Sequence, residues 1–366
     1  MIIRSKLHET GFHNRLSYWI VLIIGTILIL TSSFTSGPET NVETSRKTVI
    51  TAAGATFPIP FYNEAFKKYW ELNDIPVTYA GIGSERGLIS LKKQQIDFAG
   101  VDIPPTKEEL SDLPAQTLLV PTCMGAITIT YNLEGVDNLR LTGELITDIY
   151  LGKILKWNDT RIASVNPDRQ LPDKEIYPVF RLDGSGTTYV FSDYLTKVSP
   201  EWKEKMGTGT NLTFPRGVAA TGNSGVAGLV GKIPGAIGYV ATEYAVNFNT
   251  RSAWIKNTSG DFVLPSKESV TAAAGTADAT GMITDSPVTG AYPISCFTWV
   301  ILYKEQNYGE RSRKEAESTV KLLKWLISPE AQAITTRVQY SPLPQKAVDY
   351  AEEVLSQITY DGKSLK

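Results

Sequence analysis

Hydrophobic positions along the chain follow two spacings, one typical of strands and the other typical of helices. Short runs of apolar and β-branched residues predict strands at residues 48–51, 77–79, 98–101, 118–120, 126–131, 176–180, 236–240 and 299–303. Several segments between these runs carry apolar residues at helical spacing, for example Phe61, Phe66 and Trp70 and the stretch 189–195. This alternation predicts an α/β fold.

Helix starts are marked by capping residues as well as by periodicity. Thr106 with Glu109 three residues later makes a capping box, and Ser328 followed by Pro329 is an N-cap with proline at the first helical position. Apolar spacing predicts C-terminal helices over residues 317–327, 329–337 and 346–357. The segment 271–281 is rich in Ala, Thr and Gly, which predicts a surface loop.

Three glycine-containing turns follow predicted strands and precede helical segments. They are Gly54-Ala55-Thr56-Phe57-Pro58, then Gly81-Ile82-Gly83-Ser84, where Ser84 is placed to cap a helix, and Arg181-Leu182-Asp183-Gly184-Ser185-Gly186-Thr187-Thr188. Hydroxyls and free N–H groups at a helix N-terminus favour an anion, and α/β folds bind ligands at the carboxyl ends of strands. A plain helix cap is the alternative for each turn taken alone. For the third turn, this alternative has Ser185 as the cap and Arg181 paired to Asp183 at the surface.

Asp102 directly follows the strand 98–101 and is expected in the same crevice. A carboxylate beside an anion is favourable only when the anion carries a proton, because the carboxylate accepts a hydrogen bond from P–OH and repels an oxyanion such as sulfate. A solvated aspartate at a strand end is the alternative.

Composition and charge exclude several classes of protein. The chain has 366 residues, 42% of them hydrophobic, a net charge of -2 and scattered Lys and Arg residues, which is ordinary for a globular protein and does not suggest nucleic-acid binding. His8 and His13 are its only histidines. Because both lie in the N-terminal segment, Ser185 has no histidine base, and we expect no enzyme, metal site or cofactor.

The N-terminal residues 1–36 have the pattern of an export signal. Basic residues up to Arg15 precede a 13-residue apolar run from Tyr18 to Leu30, and small polar residues follow. Extending the run through Phe34 gives 17 residues, so an uncleaved membrane anchor is the alternative. Residues 37–47 are polar and predict a linker. The rest of the chain is therefore expected in the periplasm or an equivalent extracytoplasmic space.

The two cysteines, Cys123 and Cys296, each lie in a strand-like stretch. They are too few for a disulfide scaffold or a cysteine metal site. An oxidising compartment would permit one disulfide if the two strands were neighbours, and two separate buried thiols are the equal alternative.

The order of these motifs resembles a known family. With Asp97-Phe98-Ala99-Gly100-Val101-Asp102, Asp148-Ile149-Tyr150-Leu151-Gly152-Lys153-Ile154 and Pro234-Gly235-Ala236-Ile237-Gly238-Tyr239-Val240, the chain from about Thr48 onward is similar to the periplasmic phosphate-binding proteins of phosphate ABC importers. The resemblance implies a two-lobed periplasmic-binding-protein fold of type II. Two α/β domains, expected at 48–122 plus 290–366 and at 123–289, would be joined by a two-strand hinge and close over a ligand in the cleft between them.

The resemblance also implies the function and the site. A monomeric carrier would bind inorganic phosphate and deliver it to the permease subunits of an ABC importer. Asp102 would accept the phosphate proton, and Arg181 would supply the cation, oriented by Asp183. The expected hydroxyl and N–H donors are Thr56, Phe57, Ser84, Ser185, Gly186 and Thr187.

One departure from the family pattern lies at the edge of this site. Where the family usually continues Gly-Ser-Ser-Gly-Gly, this chain has Gly83-Ser84-Glu85-Arg86-Gly87, which adds two opposite charges. A carrier for another tetrahedral oxyanion and a membrane-anchored sensor are the remaining alternatives. A phosphomonoesterase is disfavoured because the chain beyond the N-terminal segment lacks histidine.

Overall fold

The computed structural model describes residues 48–275, 277 and 281–365. The predicted export signal and linker, residues 1–36 and 37–47, lie outside this range. The strands are β1 Ile50–Gly54, β2 Val77–Gly81, β3 Phe98–Val101, β4 Thr117–Tyr131, β5 Arg140–Leu141, β6 Tyr177–Arg181, β7 Val218–Ala220, β8 Ala236–Ala241, β9 Arg251–Ser252, β10 Trp254–Lys256, β11 Phe262–Val263, β12 Ser295–Tyr303, β13 Thr359–Tyr360 and β14 Lys363–Ser364.

Helices connect most of these strands. They are α1 Ile59–Asn73, α2 Ser84–Lys92, α3 Lys107–Ser111, α4 Gly143–Tyr150, α5 Thr160–Ser164, α6 Gly186–Val198, α7 Pro200–Lys205, α8 Gly222–Lys232, α9 Thr242–Asn247, α10 Lys267–Ala273, α11 Arg313–Leu326, α12 Pro329–Thr335 and α13 Gln345–Ser356, with a short 3-10 helix at Thr336–Val338. Among the described residues, no helix has both the length and the apolar character needed to cross a bilayer.

The alternation of strands and helices is confirmed, with shifted ends. The predicted strands 118–120 and 126–131 are parts of one 15-residue strand, β4. The caps at Thr106 and Ser328 are present as predicted. The prediction of a loop over 271–281 is wrong at its start, because a capping box between Ser266 and Ser269 begins α10, which continues through Ala273. Residues 276 and 278–280 of that segment lie outside the described range.

A nine-stranded mixed sheet forms the framework, in the order β2-β1-β3-β12-β4-β8-β6-β7, with β9 paired to β4. Strands β1, β2 and β3 are parallel, and so are β6, β7 and β8. We call these two groups, with the helices that follow their strands, the first and second lobes. The antiparallel pair β4 and β12 lies between them: β12 pairs with β3, and the far half of β4 pairs with β8.

A β-bulge interrupts the pairing of β4 and β12. Thr298 lies opposite Cys123 whereas Trp299 lies opposite Pro121, so Thr122 is the extra residue. The Thr122 hydroxyl donates to the Thr298 carbonyl at 3.1 Å and accepts from the Tyr62 hydroxyl at 2.8 Å. Pro121, which has no N–H, is tolerated inside the sheet because it adjoins this bulge.

The two cysteines are buried free thiols. They lie on neighbouring strands, but the register puts Cys123 opposite Thr298 and Cys296 opposite Gly125. The two side chains are therefore diagonal neighbours, and the structure holds them as separate thiols.

A buried ion pair ties β3 to the C-terminal helices. The Asp97 carboxylate, directly before β3, contacts the Arg311 guanidinium and accepts a hydrogen bond from the Thr51 N–H at 2.6 Å. Only 13% of the Asp97 side chain and 8% of the Arg311 side chain are exposed. Because little water reaches either charge, Asp97 depends on Arg311 for compensation, while Arg311 is stabilised by Asp97 and also by the charge of Glu315.

Replacing Asp97 tests the contribution of this pair to stability. We expect Asp97→Ala to lower the free energy of unfolding by about 3 kcal/mol, because the buried Arg311 charge loses Asp97 and keeps only the charge of Glu315. Urea denaturation measures the change. The control is Asp112→Ala, which breaks the exposed pair of Lys92 with Asp112 and should cost less than about 1 kcal/mol. Equal losses in the two variants would contradict the structural importance of the buried pair.

Candidate anion-binding site

The strand-to-helix connections of the first lobe are hydrogen-bonded to one another. The Ala55 N–H donates to the Gly100 carbonyl at 2.9 Å, and the Gly83 N–H donates to the Gly54 carbonyl at 2.9 Å. A Cβ atom on Gly54, which has a φ of 145°, would overlap the Gly100 carbonyl oxygen. Glycine is therefore required at this position, and it brings the turns that carry Thr56, Ser84 and Asp102 to one edge of the sheet.

Thr56 and Phe57 lie directly before α1, whose N-cap is Pro58. The Tyr79 hydroxyl donates to the Ala55 carbonyl at 2.8 Å, and the Tyr340 hydroxyl donates to the Phe57 carbonyl. Phe57 is fully buried. These bonds fix the main chain at the start of α1, where helix N–H groups lack partners within the helix.

Ser84 occupies a different position from the one that the sequence predicts. It is the first residue of α2, and the N-cap is Gly83, so the prediction that Ser84 caps this helix is wrong. Gly83 adopts a φ of 94°, a conformation that favours glycine. The Ser84 hydroxyl is buried and makes no hydrogen bond within the described protein. An orphaned buried hydroxyl costs free energy, and a ligand in the cleft would remove that cost.

Arg181 and Asp183 form a pair, but the alternative of a surface pair is wrong. Their side chains are only 2% and 8% exposed. The Arg181 Nε donates to Asp183 Oδ1 at 2.8 Å, its Nη2 contacts Asp183 Oδ2, and its Nη1 donates to Thr187 Oγ1 at 3.4 Å. Burial acts to raise the pKa of Asp183, but the hydrogen bonds and charge of Arg181 outweigh it and lower the pKa below its usual value. The carboxylate therefore stays ionised and fixes the guanidinium.

Ser185, Gly186 and Thr187 lie at the N-terminus of α6. Ser185 is the N-cap, and its hydroxyl accepts from the Thr188 N–H at 3.2 Å. All three residues are buried. Ser185 therefore acts as an ordinary helix cap and also lies beside Gly186 in the closed cleft, so the two interpretations of this turn are compatible.

Contacts between the lobes close the cleft around these residues. A Cβ atom on Gly186 of the second lobe would lie 2.6 Å from Cβ of Asp102 in the first. A Cβ atom on Gly83 would lie 3.0 Å from the Gly184 carbonyl oxygen. The lobes thus approach closely enough that only glycine fits at residue 186, and a side chain at residue 83 would require the Gly184 carbonyl to shift by a few tenths of an ångström.

Asp102 is 1% exposed, so it is not a solvated strand-end residue. The Thr298 hydroxyl donates to its Oδ1 at 3.1 Å. Burial raises the pKa of Asp102 to about 7, although the Thr298 hydrogen bond and the charge of Arg181 act in the opposite direction. The carboxyl can therefore give or accept a proton near neutral pH.

Two residues of the second lobe contact Thr56, and the sequence analysis missed both. The Asn223 Nδ2 donates to the Thr56 hydroxyl at 2.9 Å, and the Tyr244 hydroxyl donates to the Thr56 carbonyl at 2.7 Å. Asn223 is the second residue of α8, a glycine-rich helix with weak apolar periodicity. The Thr-Gly-Asn pattern at residues 221–223, which follows β7, is the signal that could have indicated a fourth turn at the site.

Glu85 and Arg86, the two charged residues that depart from the family pattern, lie at the edge of the cleft. Glu85 and Arg86 are exposed, and the Glu85 side chain packs against Gly184 of the opposite lobe. Within the described residues, no group of three His, Cys, Asp or Glu side chains is arranged to hold a metal ion. The described residues of the cleft therefore include several hydrogen-bond donors, the Arg181–Asp183 pair and the Asp102 carboxyl of raised pKa.

Comparisons with known proteins identify the family of the chain. Residues 41–330 match the family model of the PBP superfamily domain. The phosphate-binding protein PstS of Xylella fastidiosa (strain Temecula1) is 37% identical over 320 residues, which cover 85% of this chain and 86% of that protein. PstS of Pasteurella multocida is 36% identical over 337 residues, covering 88% and 94%.

A solved structure shows the same fold at lower identity. The phosphate-binding protein of Stenotrophomonas maltophilia is 18% identical and superposes with a TM-score of 0.64 over 87% of this chain and 99% of that protein. The architecture is thus the two-lobed α/β fold of periplasmic binding proteins. The chain belongs to the PstS family of phosphate-binding proteins.

Proposed function

We propose that the protein binds inorganic phosphate between its two lobes and delivers it to the permease of a phosphate ABC importer. The observation that carries this proposal is the Asp102 carboxyl, buried against Gly186 at the N-terminus of α6. A carboxyl in that position suits an oxyanion that carries a proton and opposes one that does not.

Charge balance leads to the same ligand. Arg181 is compensated by Asp183, which binds it through both carboxylate oxygens. With Asp102 ionised these three side chains sum to a net negative charge, and with Asp102 protonated they sum to zero. A proton shared between Asp102 and the anion avoids the repulsion between two buried negative charges. Phosphate can supply that proton, whereas sulfate is deprotonated at neutral pH.

The proposed ligand contacts come from neutral dipoles and from Arg181. The Ser84 hydroxyl has no hydrogen-bond partner among the residues that the structure describes, so it is a donor available to phosphate. The N-termini of α1, α2 and α6 direct N–H groups and dipoles to the anion. In this arrangement Thr56, Phe57, Ser84, Ser185, Gly186 and Thr187 donate to phosphate, Asp102 accepts its proton, and Asp183 orients Arg181.

Delivery depends on a change of conformation and breaks no bond in the ligand. We propose that residues 48–122 with 290–366 move with the first lobe and residues 123–289 with the second, which divides the connecting strand β4 between them. The lobes rotate about β4 and β12, and closure produces the surface that the permease recognises. The carrier acts as a monomer outside the cytoplasm. A carrier for another tetrahedral oxyanion is the alternative, and the role of Asp102 separates it from a phosphate carrier.

Calorimetric titration with phosphate, arsenate and sulfate tests this function. We expect the unaltered protein to bind phosphate and arsenate, and to bind sulfate at least about 100-fold more weakly, because like-charge contact costs several kcal/mol. Asp102→Asn should lose most of this discrimination, while Asp112→Asn, at an exposed ion pair, should keep it. Absence of phosphate binding would refute the function, and equal binding of sulfate and phosphate would refute the role of Asp102.

The raised pKa of Asp102 predicts a pH-dependent closure of the ligand-free cleft. In the closed form its pKa is about 7, compared with 3.8 for an ordinary aspartate, the value expected when an open cleft solvates the carboxyl. Closure therefore takes up a proton between about pH 4 and pH 7, and the closed form loses stability as the pH rises through that window. The free energy of closure that is lost across this window is at most about 4 kcal/mol, since one pKa unit corresponds to about 1.36 kcal/mol.

Small-angle X-ray scattering of the ligand-free protein measures this effect. The radius of gyration should be smaller at pH 5 than at pH 8, and Asp102→Asn should abolish the change. A radius that depends on pH equally in both proteins would assign the effect to other groups.

We propose that residues 1–36 direct export and are removed, leaving a soluble carrier. N-terminal sequencing of the exported protein should give a start between the apolar run and residue 48. A start at residue 1 would favour the membrane-anchored sensor.

A further inference from the structure

The Asn223 side chain joins the two lobes at the proposed site. It is fully buried. Its Nδ2 donates to Thr56 Oγ1 in the first lobe at 2.9 Å and to Thr187 Oγ1 in the second lobe at 3.2 Å. One amide group thus bonds a hydroxyl on each side of the cleft.

The orientation of this amide is fixed by the main chain. The Ala241 N–H donates to Asn223 Oδ1 at 2.9 Å. A backbone N–H can only donate, so the oxygen of the amide must face Ala241 and the nitrogen must face Thr56 and Thr187. Both Nδ2 protons are therefore committed to the two hydroxyls.

The hydroxyl oxygens of Thr56 and Thr187 each lie within hydrogen-bond distance of two groups that can only donate. Thr56 Oγ1 accepts from Asn223 Nδ2 and from the Asn223 backbone N–H at 3.4 Å. Thr187 Oγ1 accepts from Asn223 Nδ2 and from Arg181 Nη1 at 3.4 Å. A hydroxyl has two lone pairs and one proton, so both lone pairs of each threonine are occupied. The one remaining bond that either hydroxyl can make is to donate its proton.

We propose that Asn223 sets the hydrogen-bond polarity of the cleft by forcing the Thr56 and Thr187 hydroxyls to act as donors toward the ligand. Asn223 is a positioning residue, since it acts through the two threonines. The identity of the ligand as phosphate rests on the proposed function. With both hydroxyls fixed as donors, neither can accept a hydrogen bond from the ligand, and Asp102 is left to accept the bond from the ligand's protonated oxygen. The site then distinguishes anions by their protonation.

This polarity belongs to the closed form. Thr56 and Thr187 lie in different lobes, so Asn223 can reach both only when the lobes are together. The alternative is that Asn223 is only a latch between the lobes. Tyr244 offers the matched comparison, because its hydroxyl bonds the Thr56 carbonyl at 2.7 Å across the same cleft and leaves the Thr56 hydroxyl untouched.

The experiment replaces only the donor group of Asn223. Asn223→Asp keeps the volume and keeps an acceptor for the Ala241 N–H, but its second oxygen would draw the two hydroxyl protons away from the ligand. We expect calorimetric titration to show a loss of phosphate affinity of about 100-fold or more. Tyr244→Phe, which removes one bond between the lobes, should lose less than about tenfold. Thermal denaturation of the ligand-free variants confirms that each is folded.

A double-mutant cycle separates polarity from added charge. In a Thr187→Val background one of the two hydroxyls is already absent, so Asn223→Asp should cost at least about fivefold less than it costs in the unaltered chain. Tyr244→Phe should cost the same in both backgrounds. If Asn223→Asp lowered phosphate affinity equally in both backgrounds, the loss would be an effect of added charge and the proposal would be overturned. If its loss only equalled that of Tyr244→Phe, Asn223 would be no more than a latch between the lobes, which also overturns the proposal. No phosphate binding by the unaltered chain would instead refute the proposed function.

Discussion

Polar groups enclosed between the two lobes have to find partners in the opposite lobe or in a ligand. The constraint is strong because an unpaired buried donor or acceptor costs about 1 to 3 kcal/mol. Asn223 and Tyr244 meet it by bonding Thr56 across the cleft. The Ser84 hydroxyl finds no such partner in the described part of the chain. The paired groups hold the lobes together, and the unpaired hydroxyl is one of the donors proposed for the anion.

The sheet supplies the geometry that this constraint requires. Parallel strands in each lobe place their carboxyl ends at a shared edge, and the long antiparallel strands β4 and β12 connect the lobes. Thr298 on β12 donates to Asp102 just beside the bulge at Thr122. A strand that connects the lobes therefore also positions the Asp102 carboxyl, which is proposed to accept the ligand's proton.

Local signals in the sequence predicted much of the fold but only part of the site. Caps at Thr106 and Ser328 depend on residues a few positions apart, so sequence alone identifies them. Asn223 contacts Thr56, which is 167 residues away, from a glycine-rich helix with weak periodicity. The spacing predicts Ser84 as the cap, because the positive φ that makes Gly83 the N-cap leaves no mark in the spacing of residues. Contacts between the lobes have no local pattern.

The proposed selectivity of this cleft depends on the protonation of the anion more than on net charge. Asp183 neutralises Arg181, and the chain as a whole carries a net charge of -2, so neither the site nor the molecule has a large positive field to attract anions in general. Donors fixed by helix N-termini and by Asn223 would bind any tetrahedral oxyanion of suitable size. Asp102, buried with a pKa of about 7, is the group proposed to distinguish the anions, because its carboxylate would repel an anion that carries no proton. A second arginine in the cleft would strengthen binding of every such anion and weaken that distinction.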